Sequence, residues 1–240
     1  MAVREDDTGF RGYILLQDPD TFCYGVDAVL LADYGRAAPA ERLLDLGSGN
    51  GAAALIAMGK YGPVSAVGVE VQERQVALAR ESARRNGLED RLRFVQGDVL
   101  NIRELVSEES FDVVLCNPPY SEAGRGIVSA NHAAYIARHE TTAALADFVR
   151  AAAYALKTGG RFVTVHRPSR LPDVFETCRA CGLEPKRMRM VLPRPGAAPN
   201  IVLVSAVKGG GKELTVDPPL CVRDENGAYS DELQRIYGRI

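Results

Sequence analysis

The sequence has no long apolar segment and only a few scattered cysteines. No apolar run reaches the ~18 residues that a membrane-spanning helix needs, so we expect no contact with a bilayer core. The first residues are polar and acidic, which is not the pattern of a secretion signal. The 5 cysteines are an odd number without regular spacing, so we expect free thiols in a reducing cytoplasm.

One cysteine pair has a spacing that redox and zinc sites also use. Cys178 and Cys181 are separated by two residues, but the sequence contains no second pair of this kind. Two small residues on one helix explain the spacing more simply. We therefore expect neither a redox site nor a metal site in this chain.

The bulk composition is that of an ordinary globular chain. Of the 240 residues, 46% are hydrophobic and 25% are charged, which suits one large domain with small appendages. The net charge of −2 argues weakly against nucleic-acid binding. Between Arg150 and Arg194, however, ten lysines and arginines stand against three acidic residues. The segment 150–194 is therefore either a candidate RNA-binding surface or a set of ordinary solvated faces.

Apolar runs alternate with helical patterns along most of the chain, and no segment repeats. This alternation predicts an α/β fold with a doubly wound, seven-stranded, Rossmann-like sheet. The predicted strands are 42–46, 64–70, 92–96, 111–117, 160–166, 186–192 and 201–208. The predicted helices between them are 52–61, 72–86, 141–156 and 171–181. Because the connection between the last two strands is too short for a crossover helix, these strands should pair antiparallel.

Segments outside this alternation are predicted to form appendages. Residues 1–40 would contain a short strand and an apolar helix, and residues 41–208 would form the central domain. Residues 209–240 begin with a flexible run of three glycines and would form a strand pair and a terminal helix. The stretch 121–138 has no clear pattern, which is typical of a substrate loop behind an active-site strand.

A glycine-rich turn follows the first predicted core strand and opens a helix. It begins at Asp45 and places Gly47, Gly49 and Gly51 at every second position. Glycine permits positive φ angles and lets a ligand approach the backbone closely. The spacing is not that of a dinucleotide-binding turn, and a leading carboxylate disfavours phosphate. The turn therefore predicts a ligand with a cationic or amino group, such as the methionine part of S-adenosylmethionine.

An acidic residue lies at the carboxyl end of each of the next two strands, as the glycine turn does for the first. Glu70 ends the second core strand, where a carboxylate can bind both hydroxyls of an adenosine ribose. Asp98 follows the third strand and can accept a hydrogen bond from an adenine amino group. Val99 can pack on the adenine ring and donate its backbone N–H. Together with the glycine turn, these residues predict a site for an adenosine-containing cofactor.

The sequence Asn117-Pro118-Pro119-Tyr120 closes the fourth core strand, at the edge where open α/β sheets bind ligands. The Asn117 side-chain oxygen and the Pro118 carbonyl can accept the two hydrogens of an exocyclic amine. Pro119 helps to fix that carbonyl, and Tyr120 can stack on a planar group. With both hydrogens held, the nitrogen lone pair points at the methyl carbon. The motif and the glycine turn therefore predict methyl transfer from S-adenosylmethionine to a nitrogen.

On these motifs the chain resembles the class I S-adenosylmethionine-dependent methyltransferases that methylate amino groups. The resemblance covers residues 10–208 and implies the fold described above. The residues that it implies as cofactor contacts are Asp45, Gly47, Gly49, Glu70, Asp98 and Asn117. Gly51, Val71 and Val99 complete the predicted cofactor-binding set. It also implies that residues 117–120 hold the target amine.

A narrower resemblance is to the bacterial adenine-N6 methyltransferases that act on the anticodon loop of valine tRNA. Residues 24–31 look like the opening helix of that family, which caps the cofactor, and this adds Tyr24 to the site. The triplet at 138–140 and the tail around Tyr229 look like two further family signatures. The resemblance implies that tRNA is the partner and that adenine N6 is the methyl acceptor.

Other functions share parts of this pattern. Release-factor methyltransferases carry the same Asn-Pro-Pro-Tyr motif, since a protein glutamine amide is also a planar NH₂ group, but they usually have a larger N-terminal helical domain. A small-molecule amine is a weaker alternative acceptor. The intact Asp45, Glu70 and Asn117 oppose a non-catalytic RNA-binding protein on the same fold. A nicotinamide dehydrogenase would need a phosphate-accepting turn and would leave the Asn-Pro-Pro-Tyr motif without a role.

Overall fold

The structure, a computed structural model, describes residues 3–19, 23–118 and 143–240. Its strands are β1 (Arg4–Asp7), β2 (Ile14–Gln17), β3 (Arg42–Leu46), β4 (Ser65–Glu70), β5 (Leu92–Gln96), β6 (Phe111–Cys116), β7 (Leu156–His166), β8 (Leu183–Leu192), β9 (Ile201–Lys208) and β10 (Thr215–Cys221). Its helices are α1 (Val26–Gly35), α2 (Ala52–Lys60), α3 (Glu73–Arg85), α4 (Ile102–Leu105), α5 (Leu145–Ala155), α6 (Leu171–Ala180) and α7 (Asp231–Ile236).

Eight strands form one sheet with the order β10-β8-β9-β7-β6-β3-β4-β5. Strand β9 is antiparallel to both of its neighbours, and the other pairs in the sheet are parallel. This arrangement confirms the predicted doubly wound sheet and its antiparallel last core strand. Because the strand order reverses at β3 and β6, the crevice for a ligand lies at the carboxyl ends of these two strands.

Helices cover both faces of the sheet, so the central strands are almost continuously apolar. Strand β3 shows the pattern, because Leu43 packs in the core beneath α1 and α2. Leu44 and Leu46 pack in the second core, beneath α5 on the opposite face. All three leucines are fully buried, and each such side chain stabilises the fold by about 1.5–3 kcal/mol. Asp45 is the one buried polar residue of this strand and lies near its carboxyl end.

The C-terminal extension differs from the prediction. Two short strands are predicted at 213–216 and 220–223, and this is wrong: the structure has one strand, β10, which runs parallel to β8. Pro218 and Pro219 are compatible with it, because an edge strand needs main-chain hydrogen bonds on only one side. The sheet therefore has eight strands, one more than the seven predicted for the core.

Strand β7 is longer at its start than predicted. It begins at Leu156 and not at residue 160, so that Gly159 lies within the strand. Its register against β6 shifts between the pairs made by Phe111 and Val113. Helix α5 consequently ends at Ala155.

The N-terminal hairpin of β1 and β2 is held against α3 by side chains. The Leu16 N–H donates to Ser82 Oγ at 2.9 Å. The Asn86 amide accepts from Ile14 N–H at 2.9 Å and donates to the Ile14 carbonyl at 2.7 Å. Side chains of α3 thus take the place of a neighbouring strand along one edge of β2.

The first helix joins the N-terminal and C-terminal parts of the chain. Helix α1 begins at Val26 with Gly25 as its N-cap, and Asp27 lies in its first turn. The Tyr34 hydroxyl on this helix donates to the Asp217 carboxylate of β10 at 2.7 Å. The division into 1–40, 41–208 and 209–240 stays a prediction. Within the described ranges, no helix has both the length and the apolar character needed to cross a bilayer.

Candidate active site

Strands β3 and β6 bring the glycine turn and the Asn-Pro motif together. The two strands are parallel neighbours with Leu46 opposite Cys116, so Asn117 continues the chain beside Gly47. Neighbouring strands lie ~4.8 Å apart. The register therefore places the first residue of the predicted acceptor motif next to the first glycine of the predicted cofactor turn.

Half of the predicted acceptor motif lies in the described part of the chain. Asn117 is half-buried and Pro118 is buried at the carboxyl end of β6. Pro119 and Tyr120 lie outside the described residues, and so do the expected substrate loop and the triplet within 121–140. The roles of Pro119 and Tyr120 stay predictions from the sequence.

The backbone N–H groups of the glycine turn have acceptors within the protein. Gly47 and Ser48 donate to the Val69 carbonyl, Gly51 donates to the Ser48 carbonyl, and Gly49 donates to the Glu70 carboxylate, at distances of 2.8–3.1 Å. A pyrophosphate-binding turn directs such N–H groups at its ligand. This turn instead presents engaged N–H groups and buried carboxylates, which argues against a nicotinamide dinucleotide.

The glycines at 49 and 51 are needed for different reasons. Their φ angles are +53° and +83°, in the left-handed region that glycine tolerates best. A Cβ on Gly51 would lie 2.4 Å from Phe94 Cζ, so this position is closed by the protein itself. A Cβ on Gly49 would have no protein atom within 4 Å. Gly49 is thus the position at which a ligand can approach the turn.

Asp45 is a buried carboxylate at the end of β3. It is 2% exposed, and its Oδ2 accepts a hydrogen bond from the Ala54 N–H at 3.2 Å. Burial raises the pKa of Asp45 to about 7, and the nearby charge of Glu70 adds to the rise. A cation bound beside this carboxylate would lower the pKa again by favouring the charged form. The site is therefore suited to an ammonium group.

Glu70 is predicted to bind ribose and is also a structural part of the turn. Its Oε2 accepts from the Gly49 N–H and its Oε1 accepts from the Gln72 N–H, both at 2.9 Å. Burial raises the pKa of Glu70, and these hydrogen bonds oppose the rise. Each carboxylate oxygen has two lone pairs, so each can accept a further hydrogen bond from a ribose hydroxyl. Val71 follows at the same sheet edge and is half-buried.

Asp98 and Val99 lie at the end of β5. Asp98 caps a single 3-10 turn, and its Oδ1 accepts from the Leu100 N–H at 2.9 Å. Val99 is buried in the core and also borders a groove of about 430 Å³ beside α5. In that groove the Arg103 guanidinium lies 4.9 Å from the centre of the Tyr154 ring. The adenine contacts expected of Asp98 and Val99 stay predictions.

The N-terminal segment contacts the glycine turn through residues that sequence reasoning missed. The Asn50 side-chain amide donates to the Leu16 carbonyl at 3.1 Å. Gln17 is 1% exposed, and its Oε1 accepts from the Tyr24 N–H at 2.9 Å. These two bonds place Tyr24 on a segment that is anchored to the turn. Gln17 ends a short apolar strand, and a single glutamine there has no local pattern that would have indicated this role.

Phe94 is a further residue that sequence reasoning missed. Its ring occupies the space left by two glycines, because a Cβ on either Gly51 or Gly68 would lie 2.4 Å from it. The signal was present, since a glycine inside an otherwise β-branched strand often marks a close approach of another group. Phe94 therefore fixes the distance between β4, β5 and the start of α2.

Burial shifts the pKa values of His166 and of the free thiol Cys178 away from catalytic use. His166 is buried at the end of β7, where its Nδ1 accepts from the Arg167 N–H at 2.9 Å. Burial lowers the pKa of His166 to about 4, so the imidazole is neutral at physiological pH. Burial raises the pKa of Cys178 to about 12, which keeps this thiol protonated. Within the described ranges, no cluster of three or more His, Cys, Asp or Glu side chains is arranged to hold a metal ion.

Comparisons with known proteins agree with this geometry. Residues 38–186 match the family described as a methyltransferase domain. The tRNA1(Val) (adenine(37)-N6)-methyltransferase of Bacteroides thetaiotaomicron is 28% identical over 235 residues, which are 95% of this chain and 93% of that protein. A predicted O-methyltransferase from Agrobacterium tumefaciens has a similar structure, with a TM-score of 0.73 at 23% identity, covering 89% of this chain and 96% of that one. The geranyl diphosphate C-methyltransferase of Streptomyces coelicolor, solved with S-adenosyl-L-homocysteine, has a TM-score of 0.57 at 17% identity, covering 76% and 75%. At these identities the two solved structures show the fold alone.

Proposed function

Because this chain belongs to the methyltransferase-domain family, we propose that it methylates the exocyclic N6 of adenine in tRNA. Its methyl donor is S-adenosylmethionine, which supplies an electrophilic methyl group on a positively charged sulfur. The similarity to a tRNA adenine-N6 methyltransferase extends over 95% of the chain, so it includes the appendages as well as the central domain. The proposed substrate places the enzyme in the cytoplasm.

The observation that carries the proposal is the position of Asn117. It follows β6 at the point where the strand order reverses, directly beside Gly47 of the cofactor turn. An amine bound to its side-chain oxygen is therefore within reach of a methyl group held over the turn. The Asn117 side-chain amide and the Pro118 carbonyl are both neutral hydrogen-bond acceptors. Two such groups at this point suit a planar NH₂ group as the methyl acceptor.

The acceptor residues work by positioning. The Asn117 oxygen and the Pro118 carbonyl each accept one hydrogen of the NH₂ group, which leaves the nitrogen lone pair directed at the methyl carbon. Orientation of this kind accounts for several kcal/mol of rate acceleration. The nitrogen can release its proton after transfer, so no strong base is required. The base would have to leave its stack to enter the site, as in other enzymes that modify bases.

The described residues fit the cofactor by their chemistry. Asp45 offers a buried carboxylate to the ammonium of the methionine part, and Glu70 offers two oxygens to the ribose hydroxyls. The open side of Gly49 leaves room for the ligand against the backbone. Two carboxylates and an occupied set of backbone N–H groups favour a cation, and S-adenosylmethionine is a cation at its ammonium and at its sulfur.

The raised pKa of Asp45 predicts a pH dependence for cofactor binding. The carboxyl is protonated in the ligand-free protein below about pH 7, and only the carboxylate pairs with an ammonium. Affinity for S-adenosylhomocysteine should therefore rise as the pH increases from 5 to about 7 and level off above that pH. Calorimetric titration across this range measures the curve. Asp45→Asn should bind more weakly and show a flatter rise, and a wild-type affinity that does not change below pH 7 would contradict the role of Asp45.

Methyl transfer from labelled S-adenosylmethionine tests the proposed acceptor. Unmodified bulk tRNA and a release-factor protein are offered in parallel, and the RNA is digested to nucleosides. We expect the label in N6-methyladenosine. Label in the protein would instead show that the chain methylates a protein glutamine. Label in neither substrate would contradict the proposed RNA substrate but not the assignment as an S-adenosylmethionine-dependent methyltransferase.

A further inference from the structure

The end of β2 is tied both to the glycine turn and to the start of α1. The Asn50 side-chain amide donates to the Leu16 carbonyl at 3.1 Å. One residue later, the Gln17 side-chain oxygen accepts from the Tyr24 N–H at 2.9 Å. Two hydrogen bonds and one peptide unit therefore connect the cofactor turn to Tyr24, the cofactor contact predicted for this segment.

Helix α1 begins at the same edge of the sheet as the glycine turn. It packs against α2, and Asp33 near its end forms an ion pair at 2.6 Å with Lys60 at the end of α2. The two helices therefore run in the same direction. Because α2 starts directly after Gly51, the start of α1 and Tyr24 before it also lie at the edge of the sheet that holds the cofactor turn.

A buried ion pair ties the same segment to α3. The Asp18 side chain is buried and pairs with Arg74 in the first turn of this helix. Helix α3 follows Glu70, the residue predicted to bind the ribose, after only two residues. Residues 16–18 thus contact three elements that meet around the predicted cofactor site: the glycine turn, the start of α1 and the start of α3.

Gln17 is placed to act through Tyr24 and not as a ligand itself. Its side chain is 1% exposed, its amide nitrogen donates to the Asp6 carboxylate of β1, and its oxygen accepts from Tyr24. Tyr24, in contrast, is half-buried. A buried amide that lost one of these partners would be left unsatisfied, so the two bonds favour one conformation of the segment.

We propose that Gln17 and Asn50 are positioning residues that hold Tyr24 in its place at the cofactor edge before S-adenosylmethionine binds. The inference rests on the cofactor site of the proposed function and does not depend on the nature of the methyl acceptor. A segment that is already ordered adds less entropic cost to binding. Loss of either hydrogen bond should therefore weaken cofactor binding and leave the methyl-transfer step of the loaded enzyme nearly unchanged.

Calorimetric titration with S-adenosylhomocysteine, without RNA, tests both residues. Gln17→Met keeps the length of the side chain and removes its hydrogen bonds, and Asn50→Ala removes the amide donor. Each variant should bind S-adenosylhomocysteine about 3–10-fold more weakly than the wild type, the effect expected of a lost hydrogen bond. With tRNA as acceptor, KM for S-adenosylmethionine should rise by a similar factor, while kcat stays within about 2-fold of wild type.

Asn86→Ala is the matched control, because it removes two hydrogen bonds from the other end of the same strand. The Asn86 amide accepts from the Ile14 N–H and donates to the Ile14 carbonyl. It follows the end of α3, away from the cofactor edge. The variant should lower Tm at least as much as Asn50→Ala and leave affinity for S-adenosylhomocysteine unchanged. Equal losses of affinity in Asn86→Ala and Asn50→Ala would mean that only the stability of the hairpin matters, and the positioning role would be wrong.

Hydrogen exchange gives a readout that a purely structural role would not change. Coupling between two equilibria is reciprocal, so a ligand whose affinity depends on the Gln17–Tyr24 bond must also stabilise that bond. S-adenosylhomocysteine should therefore slow exchange of the Tyr24 N–H in the wild type, and this protection should be lost in Gln17→Met. The Ile14 N–H, which Asn86 holds, should exchange at the same rate with and without the ligand.

The outcomes separate the positioning role from the proposed function. If the wild type, Gln17→Met and Asn50→Ala bind S-adenosylhomocysteine equally well, the positioning role is overturned and the proposed function stands. If the variants bind more weakly as expected but the wild type methylates no tRNA, the positioning role stands and the proposed acceptor is wrong.

Discussion

Replacing Asn117 with alanine should lower the rate of methyl transfer by roughly 10²–10³-fold, to the point of apparent inactivity. The substitution removes the side-chain oxygen that holds one hydrogen of the target amine. The Pro118 carbonyl remains but cannot orient the lone pair alone. Single-turnover methyl transfer to tRNA measures the loss. Affinity for S-adenosylhomocysteine should stay within a few-fold of wild type, because the carboxylates and glycines that hold the cofactor are unchanged.

Two further variants make the Asn117 result specific. Asn226→Ala removes an exposed asparagine from a surface turn and should methylate at the wild-type rate. Tyr120→Ala removes stacking but leaves the hydrogen bonds, so it should lose less activity than Asn117→Ala. If Asn117→Ala retains the wild-type rate, the positioning mechanism is wrong. If it loses cofactor affinity in proportion to activity, Asn117 is mainly a cofactor ligand.

Gly51→Ala should be the most destabilising single-methyl change in the glycine turn. The φ angle of +83° disfavours any side chain by about 1–2 kcal/mol. The new Cβ would lie 2.4 Å from Phe94 Cζ. Overpacking of this kind costs about a further 1–3 kcal/mol. We expect a loss of about 2–5 kcal/mol, or a fall in Tm of about 4–20 °C by calorimetry.

Gly49→Ala is the matched control because it adds the same methyl group two residues away. Its φ of +53° costs about 1 kcal/mol, and no protein atom lies within 4 Å of the new Cβ. The fold should therefore be nearly as stable as wild type, while S-adenosylhomocysteine should bind at least about 10-fold more weakly. A Gly49→Ala protein with normal cofactor affinity would mean that the ligand does not approach the turn at this position.

Phe94→Leu provides a second check on the Gly51 clash. Leucine lacks the outer ring atoms that the Gly51→Ala methyl group would meet. The double variant should therefore lose less stability than the sum of the two single variants. Additive losses would show that backbone strain, and not contact with the ring, dominates the cost at position 51.

Local sequence patterns were sufficient for most of the core. The bounds of β3, β5 and β9 match their predictions residue for residue, because these are short apolar runs between clear turn signals. The start of β7 was missed because two glycines usually interrupt a regular element. The strand pair expected after residue 209 was wrong because a sheet-edge position removes the usual penalty for consecutive prolines.

Some residues of the candidate site were predicted from the sequence, and others were found only in the structure. Asp45, Glu70 and Asn117 were predicted from the sequence because each stands at the carboxyl end of a strand, and parallel strands bring those ends to one edge. Gln17 was not predicted, because its partner Tyr24 contacts it only once the N-terminal segment is folded against the turn. Phe94 was not predicted, because its ring meets Gly51 and Gly68 only once three separate segments are packed together.

The sequence by itself determined the order of the motifs and predicted the chemistry of the cofactor turn and of the acceptor motif, because these depend on residue type and on local backbone requirements. The tertiary structure alone decided that β10 lies parallel to β8 and that most charges of the segment 150–194 are paired. It alone placed Leu16 and Gln17 between the glycine turn and the start of α1. Pairing between distant strands selects which side chains meet, and no local pattern of charge contains that information.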